Sequence, residues 1–247
     1  MSGGLAVVGA SRRVRAAHYA TERPRRPVAA LLARRGELAQ YDGPRFGEAV
    51  FVTLQAIDLT CIRGERMIFS GLTFSVAPGR ALLVRGPNGV GKTSLLRLLA
   101  GLNAPAVGQV RWAGGSLAGR VSYVGHLDAI KAALTLRENL AFWLAYRGHN
   151  RSLAAALDAL GIAHLIDMPT RYLSAGQRRR AALAKLLLVD APVWLLDEPV
   201  SSLDGRGIEV FMVALRRHLA EGGVAVLSTH QELAIDEAET LTLGRNP

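Results

Sequence analysis

Residues 80–100 read RALLVRGPNGVGKTSLLRLLA. Arg80 to Arg85 is an apolar run of strand length, and Ser94 to Ala100 is leucine-rich and reads as a helix. Between them Gly86, Gly91, Lys92 and Thr93 satisfy the spacing G-x-x-x-x-G-K-[ST]. A glycine loop that joins a strand to a helix turns successive backbone N–H groups inward at the positive helix end, which makes a cradle for phosphate. On this reading Gly86, Pro87, Asn88, Gly89, Val90, Gly91, Lys92, Thr93 and Ser94 surround the phosphates of a nucleotide. Lys92 reaches the β- and γ-phosphates, and the Thr93 hydroxyl ligates Mg2+.

Upstream of this stretch, Phe51 to Thr60 is β-like, and Leu72, Phe74 and Val76 alternate with polar neighbours as a half-buried strand does. Gly79 then turns the chain into the strand that feeds the loop. Downstream, short strands are expected near Val110–Trp112 and Val121–Val124, and residues 127 to about 172 read as mostly helical. Thr135 caps one helix, with Glu138 completing a capping box. Leu153–Leu160 reads as another helix, and Gln177–Leu188 as a third with arginine on one side and leucine and alanine on the other. Val193–Leu196 and Val224–Leu227 are short apolar strands, separated by a helix from Gly207 to about Glu221. Strand and helix alternate on both sides of an all-helical insert. That pattern predicts an α/β fold with a mostly parallel sheet core, an antiparallel β part and a small helical subdomain at about 127–185.

Two further stretches carry chemistry. In LLDEP, Asp197 and Glu198 end an apolar strand, the place where ligands sit in an open α/β sheet. Asp197 is placed to hold Mg2+, directly or through water, and Glu198 to polarise an attacking water, a role that contributes roughly 10²–10⁴-fold. Leu173-Ser174-Ala175-Gly176-Gln177 precedes the arginine-rich helix, 23 residues before Asp197 counted from Ser174. Ser174 is a good N-cap, and a helix start of this composition offers a second anion site.

At 247 residues, half of them apolar, the chain can bury a full globular core. No uncharged apolar stretch approaches the about 20 residues of a membrane span, and the N-terminus lacks the basic and long apolar regions of a secretion signal. The single cysteine, Cys61, excludes an intrachain disulfide framework. These features favour the cytosol. The net charge is +10, and residues 1–48 contribute +5 of it through nine arginines and four acids. Residues 1–48 show no sustained periodicity, apart from a possible short helix at Ala29–Leu38, and read as a poorly ordered basic extension. Such charge suits an anionic membrane surface or nucleic acid, but no aromatic platform or groove-reading motif accompanies it, so nucleic acid is not expected as a partner.

Taken together, the loop GPNGVGKT, the stretch LSAGQ, the strand WLLDEP, the loop Ser202-Leu203-Asp204 and Ser228-Thr229-His230 follow the order and spacing of the ATP-binding subunits of ABC transporters, which the chain resembles over roughly residues 50–244. The resemblance implies a P-loop NTPase of ABC ATPase type over residues 49–247, with ATP and Mg2+ as its cofactors. In that family LSAGQ of one subunit closes over the nucleotide held by another. Ser174, Ala175, Gly176, Gln177 and Asp204 are then nucleotide-site residues in trans, and His230 contacts the γ-phosphate. Both half-sites stand in this one chain, which implies a homodimer formed through nucleotide.

Tyr123-Val-Gly-His126, Ile130-Lys131, Leu134-Thr135, Glu138-Asn139-Leu140 and LSAGQ-x-RR-x-ALA resemble, more narrowly, the CcmA family of cytochrome c maturation exporters, often described as haem exporters. This implies a peripheral subunit on the cytoplasmic face of the inner membrane. Its partners would be a membrane-spanning CcmB-like permease, with CcmC-like and CcmD-like proteins nearby. No direct haem binding is expected, since there is no C-x-x-C-H. His126 stands where most ABC ATPases carry a glutamine; its imidazole would sense the γ-phosphate and Mg2+. Arg63 falls, by spacing, where the family stacks adenine on an aromatic ring, and a planar guanidinium can stack there too, with weak base selectivity expected. Exporters of lipid or drug use the same catalytic residues and stay open as an alternative. A nucleic-acid-linked ABC protein is more remote, because only 79 residues lie between Thr93 and Leu173, too few for the long coiled coil of DNA-repair types.

Overall fold

The structure is a computed structural model and describes residues 53–112, 120–147, 152–189, 191–236 and 238–244. The basic extension, 1–48, and its candidate helix lie outside the described residues. Three strands, β1 (Leu54–Arg63), β2 (Arg66–Val76) and β4 (Val107–Trp112), form an antiparallel sheet in the order β2-β1-β4. Five others form a parallel sheet in the order β5-β6-β7-β3-β8: β3 (Ala81–Arg85), β5 (Val121–Val124), β6 (Val193–Asp197), β7 (Val224–Ser228) and β8 (Ala238–Thr242).

β6 and β7 are buried at every residue, and β3 at all but Arg85. Such continuous apolar runs are what a parallel sheet covered on both faces requires. Side chains alternate between the faces. Leu82, Val84, Val193, Leu195, Val224 and Val226 meet α1 (Lys92–Leu99) through Leu95, Leu96 and Leu99, in a core shared with the antiparallel sheet. Leu83, Trp194, Leu196 and Leu227 point the other way, into α4 (Ala175–Leu188) and α5 (Gly205–Ala220). A third apolar cluster belongs to the helical insert: Leu136 and Leu140 of α2 (Leu136–Arg147), Leu157 of α3 (Leu153–Ala159), and Ala181, Ala184 and Leu188 of α4.

The insert is less helical at its start than the sequence suggests. α2 begins only at Leu136, where the Thr135 N–H donates to the Glu138 carboxylate at 2.7 Å and the Glu138 N–H to the Thr135 hydroxyl at 3.2 Å. The preceding stretch is a loop. Buried Asn139 holds it, accepting from the Lys131 N–H at 2.8 Å and donating to the Lys131 and Thr135 carbonyls. Two short 3-10 turns, Ala163–Leu165 and Thr170–Tyr172, complete the link to α4. The strand β8 was not anticipated; it is the partly exposed edge of the sheet and carries few apolar residues.

The carboxyl ends of β3, β5, β6 and β7 lie side by side, and the loops that follow them gather at one edge of the parallel sheet, where ligands bind in such folds.

Candidate active site

The loop after β3 needs its glycines. Gly86 (φ 138°) and Gly91 (φ 112°) occupy backbone conformations that side chains rarely adopt. A Cβ at Gly86 would strike the Leu243 carbonyl, and one at Gly91 would strike the Ile68 side chain. Gly91 precedes α1, whose start has no side-chain cap and no acid in its first turn, so its N–H groups face the loop unscreened by a carboxylate. Buried Lys92 folds back over the loop, donating to the carbonyls of Gly86 at 2.8 Å and Pro87 at 3.2 Å. Its ammonium also stands 3.0 Å from His230 Nε2. The same Nε2 lies 2.8 Å from Asn88 Oδ1, so the imidazole accepts from Lys92 or donates to Asn88, one at a time.

Asp197 ends β6, almost fully buried. Its Oδ2 accepts from the Thr93 hydroxyl at 2.7 Å and its Oδ1 from the Ser228 hydroxyl at 2.6 Å. Glu198 follows with φ 50°, a left-handed conformation unusual for a glutamate. Its N–H donates to the Ser228 carbonyl at 3.0 Å, and its carbonyl accepts from the Ser201 hydroxyl at 2.8 Å. The carboxylate Oε2 accepts from the His230 N–H at 3.4 Å. Oε1 is buried and makes no hydrogen bond, with His230 Nε2 3.5 Å away. An unsatisfied buried carboxylate oxygen is costly unless a ligand or water completes it.

Asn88, Gly89, Gly91, Lys92, Thr93, Ser94, His126, Asp197, Glu198, Ser201 and His230 line one cavity of about 560 Å3. The structure therefore brings together the phosphate loop, both acids and both histidines singled out in the sequence. It leaves the others outside. Ser174 caps α4 through a reciprocal box with Gln177, at 2.8 and 3.2 Å, and Gly176 packs close to the Ser202 carbonyl. None of Ser174, Ala175, Gly176 and Gln177 lines the cavity. Asp204 caps α5 by accepting from the Gly207 N–H at 2.8 Å and pairs with Arg180; both contacts hold its carboxyl below the usual range. Arg63 ends β1 opposite Arg66 in the β1–β2 hairpin, also off the cavity.

The sequence reading missed Ser201, a polar residue three positions past Glu198 in the loop after β6, which its nearness to the acids could have suggested. It also missed Arg179, placed with its neighbours on the arginine side of that helix and given no role. The structure buries Arg179 against the backbone of residues 197–199 and the carboxylate of Asp128.

A second cavity of about 560 Å3 lies beside the first, lined by Leu102, Leu127, Trp143 and Tyr146 among others. Lys185 closes it, its ammonium over the Trp143 ring 5.0 Å from the centroid. Burial pushes the Lys185 amine down to about 8, and the Asp128 charge partly opposes that.

The donors fit a triphosphate and its metal. The loop offers backbone N–H groups and an ammonium to phosphate oxygens. Among the described residues no cluster of three or more His, Cys, Asp or Glu forms a metal cage. One hydroxyl and one carboxylate, Thr93 and Asp197, suit Mg2+, which takes few protein ligands and completes its shell with water and phosphate.

Residues 69–201 match the ABC transporter family. Over 194 residues the chain is 52% identical to the cytochrome c biogenesis ATP-binding export protein CcmA of Rhodospirillum rubrum, covering 75% of this chain and 83% of that protein. It is 50% identical over 186 residues to the protein of the same description from Rhodopseudomonas palustris, covering 73% and 93%. An ABC transporter ATP-binding protein from Pyrococcus furiosus shares the fold, with a TM-score of 0.67 at 23% identity over 77% of this chain and 97% of that one. The chain thus belongs to the ABC transporter ATP-binding family and is an ATPase of its CcmA type.

Proposed function

We propose that this ATPase serves an export complex of cytochrome c maturation, and that two copies clasp each ATP between the phosphate loop of one and Ser174–Gln177 of the other. The observation that carries the clasp is the division of the site. The cavity holds the loop, both acids and both histidines, yet the anion-binding start of α4 lies off it within the same chain. A second copy supplies what the first lacks. The CcmA relatives, about half identical over most of the chain, support the cytochrome c assignment.

In this reading Gly86 to Ser94 wrap the phosphates, and Lys92 exchanges its loop carbonyls for phosphate oxygens. Thr93 and Asp197 hold Mg2+, which when bound neutralises charge on the β- and γ-phosphates. Glu198, with one oxygen unpaired, accepts a hydrogen bond from the attacking water and orients it toward the γ-phosphorus. His230 releases Asn88 or Lys92 to donate to the γ-phosphate. His126, which also lines the cavity, senses the same phosphate and metal.

No helix among the described residues is long and apolar enough to cross a membrane, so the transport path is assigned to another chain. The partner is a CcmB-like permease with CcmC-like and CcmD-like proteins, and this subunit sits peripherally on the cytoplasmic face of the inner membrane. Its docking place is the aromatic groove next to His126, where Leu127 is 80% and Tyr146 70% exposed. Exposed apolar surface of this kind marks an interaction site.

The test is complementation of a strain lacking its own CcmA, read by haem staining of c-type cytochromes, together with co-purification of the permease. Restored cytochromes that depend on Glu198 support the assignment. An active ATPase that neither restores them nor retains the permease points instead to an exporter of another cargo.

A further inference from the structure

Arg179 is the middle of three consecutive arginines on α4 and is only 2% exposed. A guanidinium has five N–H donors in a rigid fork, and here all five are used. Nε donates to the Pro199 carbonyl at 3.1 Å. Nη2 donates to the carbonyls of Asp197 at 2.7 Å and Glu198 at 2.6 Å. Nη1 donates to the Gly125 carbonyl at 2.8 Å and to the Asp128 carboxylate at 3.1 Å. Three acceptors are successive carbonyls of the segment that presents Glu198. The other two flank His126.

The Asp197 and Glu198 carbonyls belong to the two peptide planes on either side of the Glu198 Cα. Gripping both constrains its φ and ψ. That residue stands at φ 50°, a conformation that persists for a glutamate only when its surroundings over-determine it. Arg179 touches neither the phosphate loop nor Thr93 in these five bonds.

We infer that Arg179 is a positioning residue for hydrolysis. It holds the backbone of Glu198 so that the carboxylate faces the cavity, and it ties that orientation to α4 and to the loop carrying His126. This rests on the clasp proposed above and deepens it. Ser174, at the start of α4, closes on the nucleotide of the second copy, while Arg179, just over one turn on, sets the base of its own copy. Each α4 thereby joins the two sites of the dimer. Lysine is no substitute, because a single ammonium cannot span five acceptors that face a planar fork.

The test uses the full chain co-purified with its membrane subunit. Arg179→Lys and Glu198→Gln are compared with the parent for affinity toward a fluorescent ATP analogue with Mg2+, for kcat, and for thermal unfolding. Expected for Arg179→Lys is an affinity within about twofold of the parent and a kcat lower by about tenfold or more, normalised to nucleotide-binding sites. A purely structural role would lower folded protein and affinity without that split. Unchanged kcat per site, or kcat and affinity falling together, overturns the inference. If Arg179→Lys does not fold, Asp128→Asn decides in the same way: lower kcat at unchanged affinity supports it, and unchanged kcat overturns it. Turnover lost in Glu198→Gln but kept in Arg179→Lys removes this inference alone; turnover kept in Glu198→Gln removes the hydrolytic reading beneath it.

Discussion

The Thr93 hydroxyl donates to Asp197 Oδ2 at 2.7 Å, joining the phosphate loop to the end of β6 across 104 residues of chain. This pair is the only link the Mg2+ assignment needs. Asp197→Asn keeps an oxygen for Thr93 but removes the negative charge. Mg2+-dependent hydrolysis should fall by about 100-fold or more, since metal stabilisation of this kind is worth several kcal/mol. Nucleotide binding without Mg2+ should stay within a few-fold of the parent. Titrating a fluorescent analogue with and without Mg2+ measures both; hydrolysis that survives at parental rate would remove Asp197 from the metal.

His126 faces the cavity from the end of β5, beside the groove assigned to the permease. His126→Ala removes the only side chain of that loop that lines the cavity, so permease-stimulated turnover should fall by about tenfold, equivalent to about 1.4 kcal/mol of barrier. His126→Gln, which restores an acceptor oxygen, should recover most of it. Steady-state rates of the complex, with and without the permease, provide the comparison. Parental stimulation in the alanine variant would refute the sensing role.

The phosphate loop, both acids and most strand positions were legible because each depends on a local pattern: a glycine spacing, an apolar run, a polar residue at a strand end; His126 and His230 were legible only through family position. Arg179 was not. Residues 178, 179 and 180 step by about 100° around the helix, so three in a row cannot share one face. One had to turn inward, and only the packed structure shows that its five donors find carbonyls and a carboxylate there. β8 was missed for the opposite reason: as an edge strand it buries little, and AETLT carries no sustained alternation. That the start of α4 lies off the cavity is also invisible locally, since it concerns which motifs do not meet within one chain.

His218 of α5 is fully buried, stacked on Trp194 with ring centroids 4.0 Å apart, and its Nε2 lies 3.1 Å from the Val224 carbonyl. Burial pushes its pKa down to about 4, against the smaller opposing effect of the Val224 hydrogen bond. Between about pH 6.5 and 4 the unfolded chain binds a proton that the folded chain does not. Stability therefore falls as pH drops through that window and levels off below it, by up to roughly 3 kcal/mol. His218→Phe, which keeps the stacking, should be less stable at pH 7 but lose less on acidification. Denaturant midpoints at pH 7, 6 and 5 test this; parallel slopes for parent and variant would contradict it.

In the proposed function two copies complete each ATP site. The most direct test is the size of the Glu198→Gln variant, by sedimentation, with and without Mg-ATP. Nucleotide that is bound but scarcely hydrolysed stabilises the closed pair by mass action. Expected is a monomer without nucleotide and a stable dimer with it, abolished when Ser174 is replaced by arginine. A variant that binds Mg-ATP and stays monomeric at every protein concentration would contradict it.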